Sequence, residues 1–339
     1  MQKRVYYYDR LRVLSAVAVV LIHICGAELF CHGLGTDAWQ MCNILDSFSR
    51  FAVPVFIMLS GALFLNPEKK VDIKSLYCKT LLRIVISFLF WAIVYAVINY
   101  NGNITDFAKN VLLGHYHMYF LFIIASLYVA VPVYRKICED EKIMRYFLIL
   151  CLVFAFLLPA AAKLPHMSIA SDMLDKAKFN LVTGYSAYFV GGYYLSRMEL
   201  SKKRRVIIYS LGIFAFFTTA LFTHNASLQA GAVCEEYYSY FSGNVLVQSV
   251  AVFIFGKYHL NSEPKGAASE KLLEMLSKLT FGVYLSHVLI LDALRSYQPL
   301  KGLSSIPAYL LSELLLTLFL SGIISYILNK IPIVKKYIV

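Results

Sequence analysis

Charged residues are scarce in this sequence. Asp, Glu, Lys and Arg make up 15% of its 339 residues, whereas an ordinary soluble domain has about 25%. Hydrophobic residues make up 59%, so too few polar side chains are available to cover a water-soluble fold of this size. The same composition excludes a disordered chain and a collagen-like chain.

Patterned cysteines and metal-binding motifs are missing as well. The seven cysteines include no CxxC pair and no spacing typical of a zinc site, and the histidines form no HExxH motif. We therefore expect no metal cofactor. Cys31 and Cys42 fall in one predicted outside loop, where a disulfide and a reduced pair are equally compatible with the sequence.

The sequence does contain many long apolar stretches. A helix needs about 20 apolar residues to cross a bilayer, and about ten stretches meet this requirement. The predicted spans are 11–31, 43–65, 80–99, 117–134, 146–162, 179–196, 206–222, 238–256, 279–294 and 306–329. Segment 104–114 is too short to cross and predicts a re-entrant or interfacial helix. We therefore expect an all-α polytopic membrane helix bundle, with one domain over 1–339, no extramembrane domain and no cleavable signal peptide.

The basic residues indicate the orientation of this bundle. With both termini in the cytoplasm, 24 of the 32 Lys and Arg residues fall in inside segments, six in outside loops and two within spans. This distribution follows the positive-inside rule. The net charge of +12 is therefore spread over every inside turn, unlike the single basic stripe of a nucleic-acid-binding protein. We expect a lipid bilayer as a partner and no nucleic acid.

The first span carries two polar residues on one face. Arg12 lies at the cytoplasmic edge and His23 lies 11 residues further along, which is about 20° past three helical turns and a rise of roughly 16 Å. An arginine at the cytosolic mouth in line with a mid-membrane histidine suits a long anionic molecule with a reactive end, such as acyl-coenzyme A. The alternative is equally open: Arg12 is one more inside charge, and His23 is a core histidine.

The second span contains Arg50 about seven residues below its outer end, roughly 10 Å deep. His23 lies at a similar depth in the first span, so the two meet if these helices are neighbours. A membrane arginine needs a partner, and a structural pair with Asp46 or Glu28 is the alternative to a catalytic role. In the same span Pro54 should kink the helix, and the Ser60-Gly61 pair favours close helix packing over a nucleophilic serine.

Two further basic residues stand at the cytoplasmic end of the third span. Lys79 and Arg83 are one turn apart, so both can reach the phosphates of a bound coenzyme A. Snorkelling of these side chains to the lipid headgroups explains them equally well.

The outer ends of the fourth and ninth spans carry histidines and tyrosines. His117 and Tyr119 open the fourth span, and Tyr284 and His287 lie three residues apart on one face of the ninth. Aromatic rings with polar tips are typical of sugar-binding sites, but an aromatic rim is also normal at a membrane interface. His287 is as compatible with a hydrogen-bonded core histidine as with a substrate contact.

Several strings in this chain are similar to those of one known family. They are DRLR ending at Arg12, the ten-residue interval between Arg12 and His23, SRFAVPVFIMLSGALFL in the second span, HMYFLF in the fourth, GYSAYFVGGYYL in the sixth and FGVYLSH in the ninth. As a set, from residue 6 onwards, they resemble the integral-membrane acyltransferase-3 family. Within it the chain resembles the stand-alone bacterial O-acetyltransferases of surface glycans, which lack an added extracytoplasmic domain. Tyr119 replaces the tryptophan that is usual in the fourth-span string.

The resemblance implies a membrane enzyme of the bacterial plasma membrane. It would move an acyl group, with acetyl-CoA or another short acyl-CoA as donor, from the cytosol to a hydroxyl of an extracytoplasmic glycan or lipid-linked saccharide. The family's hallmark arginine and histidine map onto Arg12 and His23. We expect His23 and Arg50 to be catalytic, Arg12, Arg83 and Lys79 to bind the donor, and His117, Tyr119, Tyr284 and His287 to bind the acceptor. A homo-oligomer is compatible with the sequence.

A rival hypothesis is a transporter of a small amino acid or of an acyl or sugar substrate, with His23 and Arg50 binding a carboxylate. A transporter predicts inverted repeats and broken helices. The two halves of the sequence show no repeat, and only Pro54 and the Gly191-Gly192 pair suggest broken helices.

Overall fold

The computed structural model describes residues 4–68, 70–162, 184–300, 302–303 and 305–339. Within these ranges every regular element is helical. The helices are α1 (Tyr6–Glu28), α2 (Asp37–Ser49), α3 (Ala52–Phe64), α4 (Ile73–Ser75), α5 (Leu82–Ile98), α6 (Ile104–Leu113), α7 (Tyr119–Val129), α8 (Val131–Glu139), α9 (Glu141–Cys151), α10 (Leu158–Ala162), α11 (Ser186–Arg197), α12 (Lys202–Ala230), α13 (Gly243–His259), α14 (Ala267–Tyr297), α15 (Ile306–Lys330) and α16 (Pro332–Tyr337). Short 3₁₀ turns at Tyr116–Met118 and Glu236–Tyr238 and π-helical turns at Leu76–Leu81 and Leu152–Leu157 complete the set.

The all-α membrane bundle is confirmed. The described part of the chain has nine helical stretches that are long and apolar enough to cross a membrane. The predicted sixth span, 179–196, corresponds to α11, and its first residues lie outside the described ranges. The predicted short segment forms the separate ten-residue helix α6, which ends at Leu113 and is followed by Gly114 with a φ of 71°. The cytoplasmic location of both termini stays a prediction.

The chain divides into two compact units that alternate along the sequence. Unit 1 comprises Met1–Lys69 and Val131–Lys265, and unit 2 comprises Lys70–Ala130 and Gly266–Val339. In unit 1, α1 packs on α2, α3 and α13, while α11 packs on α3 and α12 packs on α13. In unit 2, α14 packs along α15, and α5 contacts α6, α7 and α16.

The second span is broken at Arg50. Helix α2 begins at an N-cap, where the Thr36 hydroxyl accepts from the Trp39 backbone N–H, and it ends at Ser49. Helix α3 begins at Ala52. The break lies where Pro54 requires it, because proline has no N–H to donate to the carbonyl four residues earlier, and that carbonyl belongs to Arg50. The expected kink thus places Arg50 at an interruption between two half-length helices.

Helices α3 and α11 approach each other closely through glycines. A β-carbon on Gly61 would lie 1.7 Å from the Phe189 carbonyl oxygen, and one on Gly192 would lie 2.1 Å from the Met58 carbonyl oxygen. Both positions therefore require glycine. The packing role expected for Gly61 is confirmed. Gly191 and Gly192 lie inside one continuous helix and do not break it.

The two adjacent glycines of α11 allow a matched test of this crossing. We expect Gly192→Ala to destabilise unit 1 by about 1–3 kcal/mol, because the new methyl group meets backbone that cannot move aside. Gly191→Ala should be close to neutral, since its β-carbon would meet only the Leu148 side chain at 3.9 Å. Melting temperatures of the detergent-purified variants check this. Equal melting temperatures would show that the crossing tolerates a methyl group.

Candidate functional site

The predicted site residues divide between the two units. Unit 1 contains Arg12, His23 and Arg50, and unit 2 contains Lys79, Arg83, His117, Tyr119, Tyr284 and His287.

Arg12 and His23 lie on one uninterrupted helix. Helix α1 runs from Tyr6 to Glu28 without a break, so their 11-residue spacing keeps both side chains on the same face. The Arg12 Nη1 lies 3.4 Å from Asp9 Oδ1, and the other carboxylate oxygen accepts from Arg4 Nε at 2.8 Å. Asp9 therefore orients Arg12 while leaving most of its N–H groups for a ligand.

Arg10, two residues before Arg12, has a structural role. Its Nη1 donates to the main-chain oxygens of Leu260 and Ser262, the latter at 2.8 Å. These carbonyls follow the end of α13, where the last carbonyls of a helix have no partner within the helix. The two arginines of the DRLR string thus have different surroundings.

Arg50 is held by a buried ion pair and an aromatic ring. Its Nη2 donates to Asp46 Oδ2 at 2.6 Å, and the Asp46 side chain is completely buried. The Arg50 Cζ lies 4.1 Å from the centre of the Tyr238 ring, a cation–π contact. Of the two structural partners considered for Arg50, the structure selects Asp46, because the Glu28 carboxylate lies 3.3 Å from His32 instead.

Tyr238 is itself fixed by hydrogen bonds. Its hydroxyl donates to Asn43 Oδ1 at 2.6 Å, and Asn43 Nδ2 donates to the Ala220 carbonyl at 2.9 Å. Asn43 is one turn before Asp46 on α2. Through this chain of contacts α2, α12 and the segment before α13 together set the position of the Arg50 guanidinium.

Helix α1 lies beside the same ion pair. It packs on α2, so the helices of His23 and Arg50 are neighbours. A β-carbon on Gly26 would lie 3.8 Å from Asp46 Oδ2, an ordinary van der Waals distance, so α1 passes directly beside the carboxylate. His23 precedes Gly26 by three residues, a rise of about 4.5 Å. The candidate base therefore lies within one turn of the point where α1 meets Asp46.

In unit 2, Arg83 contacts the last residues of the chain. Its Nη2 donates to the main-chain oxygen of Val339, and one turn later the Ser87 hydroxyl donates to Tyr337 O at 3.1 Å. Phe281 lies beneath the guanidinium, 5.5 Å from Cζ to the ring centre. Lys79 is exposed in the π-helical turn that precedes α5. A phosphate bound to Arg83 would either share the guanidinium with the Val339 oxygen or displace that oxygen.

Histidines and tyrosines of two segments meet in unit 2. The His117 ring lies 5.2 Å from the His287 ring and 5.7 Å from the Tyr284 ring, between centres. The Tyr284 hydroxyl donates to the His117 carbonyl at 2.9 Å. His115 Nδ1 lies 3.1 Å from His117 Nδ1. The predicted residues His117, Tyr284 and His287 are thus brought together, whereas Tyr119 begins α7 with 40% of its surface exposed.

The hydrogen bonds of His287 define its tautomer. Its Nδ1 lies 2.7 Å from the Tyr284 carbonyl and 3.2 Å from the Val283 carbonyl. Carbonyls only accept, so Nδ1 carries a proton. The buried Tyr95 hydroxyl braces this turn of α14, because it donates to Leu285 O at 2.9 Å and accepts from Leu289 N at 3.1 Å.

Sequence reasoning missed Tyr238, Tyr95 and Glu313. Glu313 is fully buried in α15, and its Oε1 lies 3.3 Å from Arg295 Nε. One carboxylate inside an apolar span is the signal that should have identified it. No sequence pattern marks the two tyrosines among 25 in the chain, because their importance comes from their tertiary contacts.

Within the described part of the chain, no group of three His, Cys, Asp or Glu residues has the geometry of a metal site. Cys31 is exposed and Cys42 is buried, and the two form no disulfide with each other.

The fold and these clusters define a class of protein: a polytopic membrane helix bundle with buried arginine and histidine side chains. The acyltransferase-3 family model, described as an acyltransferase domain, matches residues 5–329. The chain therefore belongs to this family and is a membrane acyltransferase. Neither the curated proteins nor the solved structures include a significant match to it.

Proposed function

We propose that this acyltransferase moves an acetyl or other short acyl group from cytosolic acyl-CoA to a hydroxyl of an extracytoplasmic glycan or lipid-linked saccharide. It would act as a multi-pass protein of the bacterial plasma membrane. The observation that carries the proposal is the placement of Arg12 and His23 on one face of the continuous helix α1, in a member of an acyltransferase family. Their separation, about 16 Å along the axis, suits a donor with phosphates at one end and a thioester at the other.

On the donor side, Arg12 binds the phosphates of coenzyme A. For Arg83 and Lys79, which belong to unit 2, the same role stays a prediction from the sequence. Guanidinium groups suit this role because they donate several hydrogen bonds in a fixed plane. Asp9 orients Arg12. Arg83 takes part only if the phosphates compete with the Val339 oxygen for its N–H groups.

At the reacting centre, the neutral imidazole of His23 takes the proton of the acceptor hydroxyl as that oxygen attacks the thioester carbonyl. Arg50 stabilises the negative charge that develops on the carbonyl oxygen. When the tetrahedral intermediate collapses, the C–S bond breaks and the proton passes to the coenzyme A thiolate. In a variant of this scheme, the acyl group passes first from the thioester to His23 and then from the acyl-histidine to the acceptor hydroxyl.

On the acceptor side, His117, Tyr119, Tyr284 and His287 contact the saccharide. The His287 ring is oriented through its Nδ1 proton, and the Tyr284 hydroxyl holds the His117 segment in place. Aromatic faces beside such polar atoms suit a sugar ring.

Acetyl-CoA binding tests the proposal against transport. We expect acetyl-CoA to raise the melting temperature of the detergent-purified protein in a concentration-dependent way, because a ligand that binds only the folded state stabilises it. Labelled acetyl-CoA given to membranes should also leave base-labile acetyl esters on saccharides. Absence of both effects would contradict the proposed function.

The two arginines of the DRLR string provide a further prediction. Arg12→Ala should raise the KM for acetyl-CoA about tenfold or more, since each charge-assisted hydrogen bond contributes about 1.5–3 kcal/mol. Arg10→Ala should lower the melting temperature and leave that KM unchanged, because Arg10 binds main-chain carbonyls. Steady-state kinetics of both variants separate the roles, and an unchanged KM in Arg12→Ala would remove Arg12 from the donor site.

A further inference from the structure

The buried Asp46–Arg50 pair has unused hydrogen-bonding capacity. Within the described part of the chain, Asp46 Oδ1 and Arg50 Nε are both buried without a hydrogen-bond partner. Their other atoms, Oδ2 and Nη2, form the ion pair. Buried polar atoms are normally paired, and a charged group left unpaired costs several kcal/mol. The pair therefore presents one strong acceptor and one strong donor to a further group.

These two atoms define the chemistry of that group. A carboxylate or phosphate could accept from Arg50 Nε but would be repelled by Asp46 Oδ1. An ammonium could donate to Asp46 but would be repelled by Arg50. A hydroxyl both donates and accepts through one oxygen, so it has the chemistry that both atoms require.

The residues around the pair hold it in one geometry. The Tyr238 ring lies against the guanidinium at 4.1 Å and is anchored to Asn43. On the α1 side Gly26 passes close to Asp46, because a β-carbon there would lie 3.8 Å from Oδ2. His23 lies one turn from that glycine on α1.

We propose that Asp46, Arg50 and Tyr238 form a hydroxyl-binding subsite for the saccharide acceptor. Asp46 Oδ1 accepts the hydrogen bond of a sugar hydroxyl, and Arg50 Nε donates to the oxygen of the same hydroxyl. Tyr238 holds the guanidinium in the required orientation and is a positioning residue. This inference rests on the proposed function and adds Asp46 as a substrate contact.

Two variants that retain part of the pair test the subsite. In Asp46→Asn the side-chain oxygen can still accept from Arg50 Nη2, but the second atom becomes an NH₂ donor in place of an acceptor. Arg50→Lys keeps a cation beside Asp46 and loses the Nε donor. We expect each to reduce transfer of labelled acetyl from acetyl-CoA into base-labile saccharide esters of membrane vesicles by more than tenfold, with the KM for acetyl-CoA unchanged.

Asp37→Asn is the matched control, because Asp37 is an exposed carboxylate at the start of the same helix. It should transfer acetyl at the wild-type rate. Melting temperatures establish that each variant is folded. If a folded Asp46→Asn or Arg50→Lys transfers at the wild-type rate, the two atoms are served by water and the subsite is wrong. If the wild-type protein neither binds acetyl-CoA nor labels esters, the proposed function itself has failed.

Discussion

Replacing His23 by alanine should reduce acyl transfer by about 10²–10⁴-fold, the usual contribution of a positioned general base. Acetyl-CoA binding should remain, because the phosphate contacts are assigned to Arg12, about 16 Å away along the helix. The measurement is the initial rate of labelled ester formation in membrane vesicles that contain equal amounts of folded protein. The melting-temperature rise caused by acetyl-CoA reports donor binding.

His32→Ala is the control for this experiment. His32 follows the end of the same helix and lies 3.3 Å from Glu28, so its loss should leave the transfer rate unchanged. A separate experiment distinguishes direct transfer from an acyl-histidine relay. The wild-type protein is incubated with labelled acetyl-CoA in the absence of acceptor, and the reaction is then quenched rapidly. A folded His23→Ala protein with the wild-type rate would refute the mechanism.

The second large effect concerns stability. Asp46→Ala should destabilise the protein by about 3–5 kcal/mol, because it leaves the Arg50 cation in a buried position without its counter-charge. Asp46 is fully buried and the Arg50 side chain is 11% exposed, so the guanidinium would lose its counter-charge in a largely desolvated position. Melting temperature and resistance to unfolding by SDS in mixed micelles measure the loss.

A double variant and a surface pair sharpen this test. Asp46→Ala combined with Arg50→Ala should be less destabilised than the sum of the two single variants, because it removes both charges. Lys136→Ala breaks an exposed pair with Glu139, 3.0 Å apart, and should cost less than about 1 kcal/mol. Additive losses in the double variant would show that Asp46 and Arg50 do not depend on each other.

The second span contains one feature that the sequence predicts, its break, and one that it leaves open, the partner of Arg50. Hydropathy predicted one crossing helix over 43–65, and Pro54 predicted a kink. The structure has two helices with Arg50 between them. The residue responsible was visible in the sequence because proline acts locally, through its missing N–H. The partner of Arg50 was not decided in advance, because Asp46 and Glu28 lie at the same expected depth.

The positions of His117 and His287 could also be predicted from the sequence, whereas their contacts could not. Sequence placed His117 and His287 at the outer ends of two spans, and the structure brings their rings to within 5.2 Å. The Nδ1 proton of His287 depends on which carbonyls surround it. Tyr95, which braces that turn, comes from a third helix. Such contacts join residues nearly 200 positions apart, and no local pattern specifies them.

By itself, the sequence determined that this is a helical membrane protein, which stretches form its helices, and which family it resembles. Those properties follow from composition and from short-range patterns, since lipid requires long apolar helices whatever their neighbours are. Only the tertiary structure decided that Asp46 neutralises Arg50, that Tyr238 covers it and that glycines join α3 to α11. These depend on the packing of helices distant in sequence, where distances of a few tenths of an ångström decide which groups can pair.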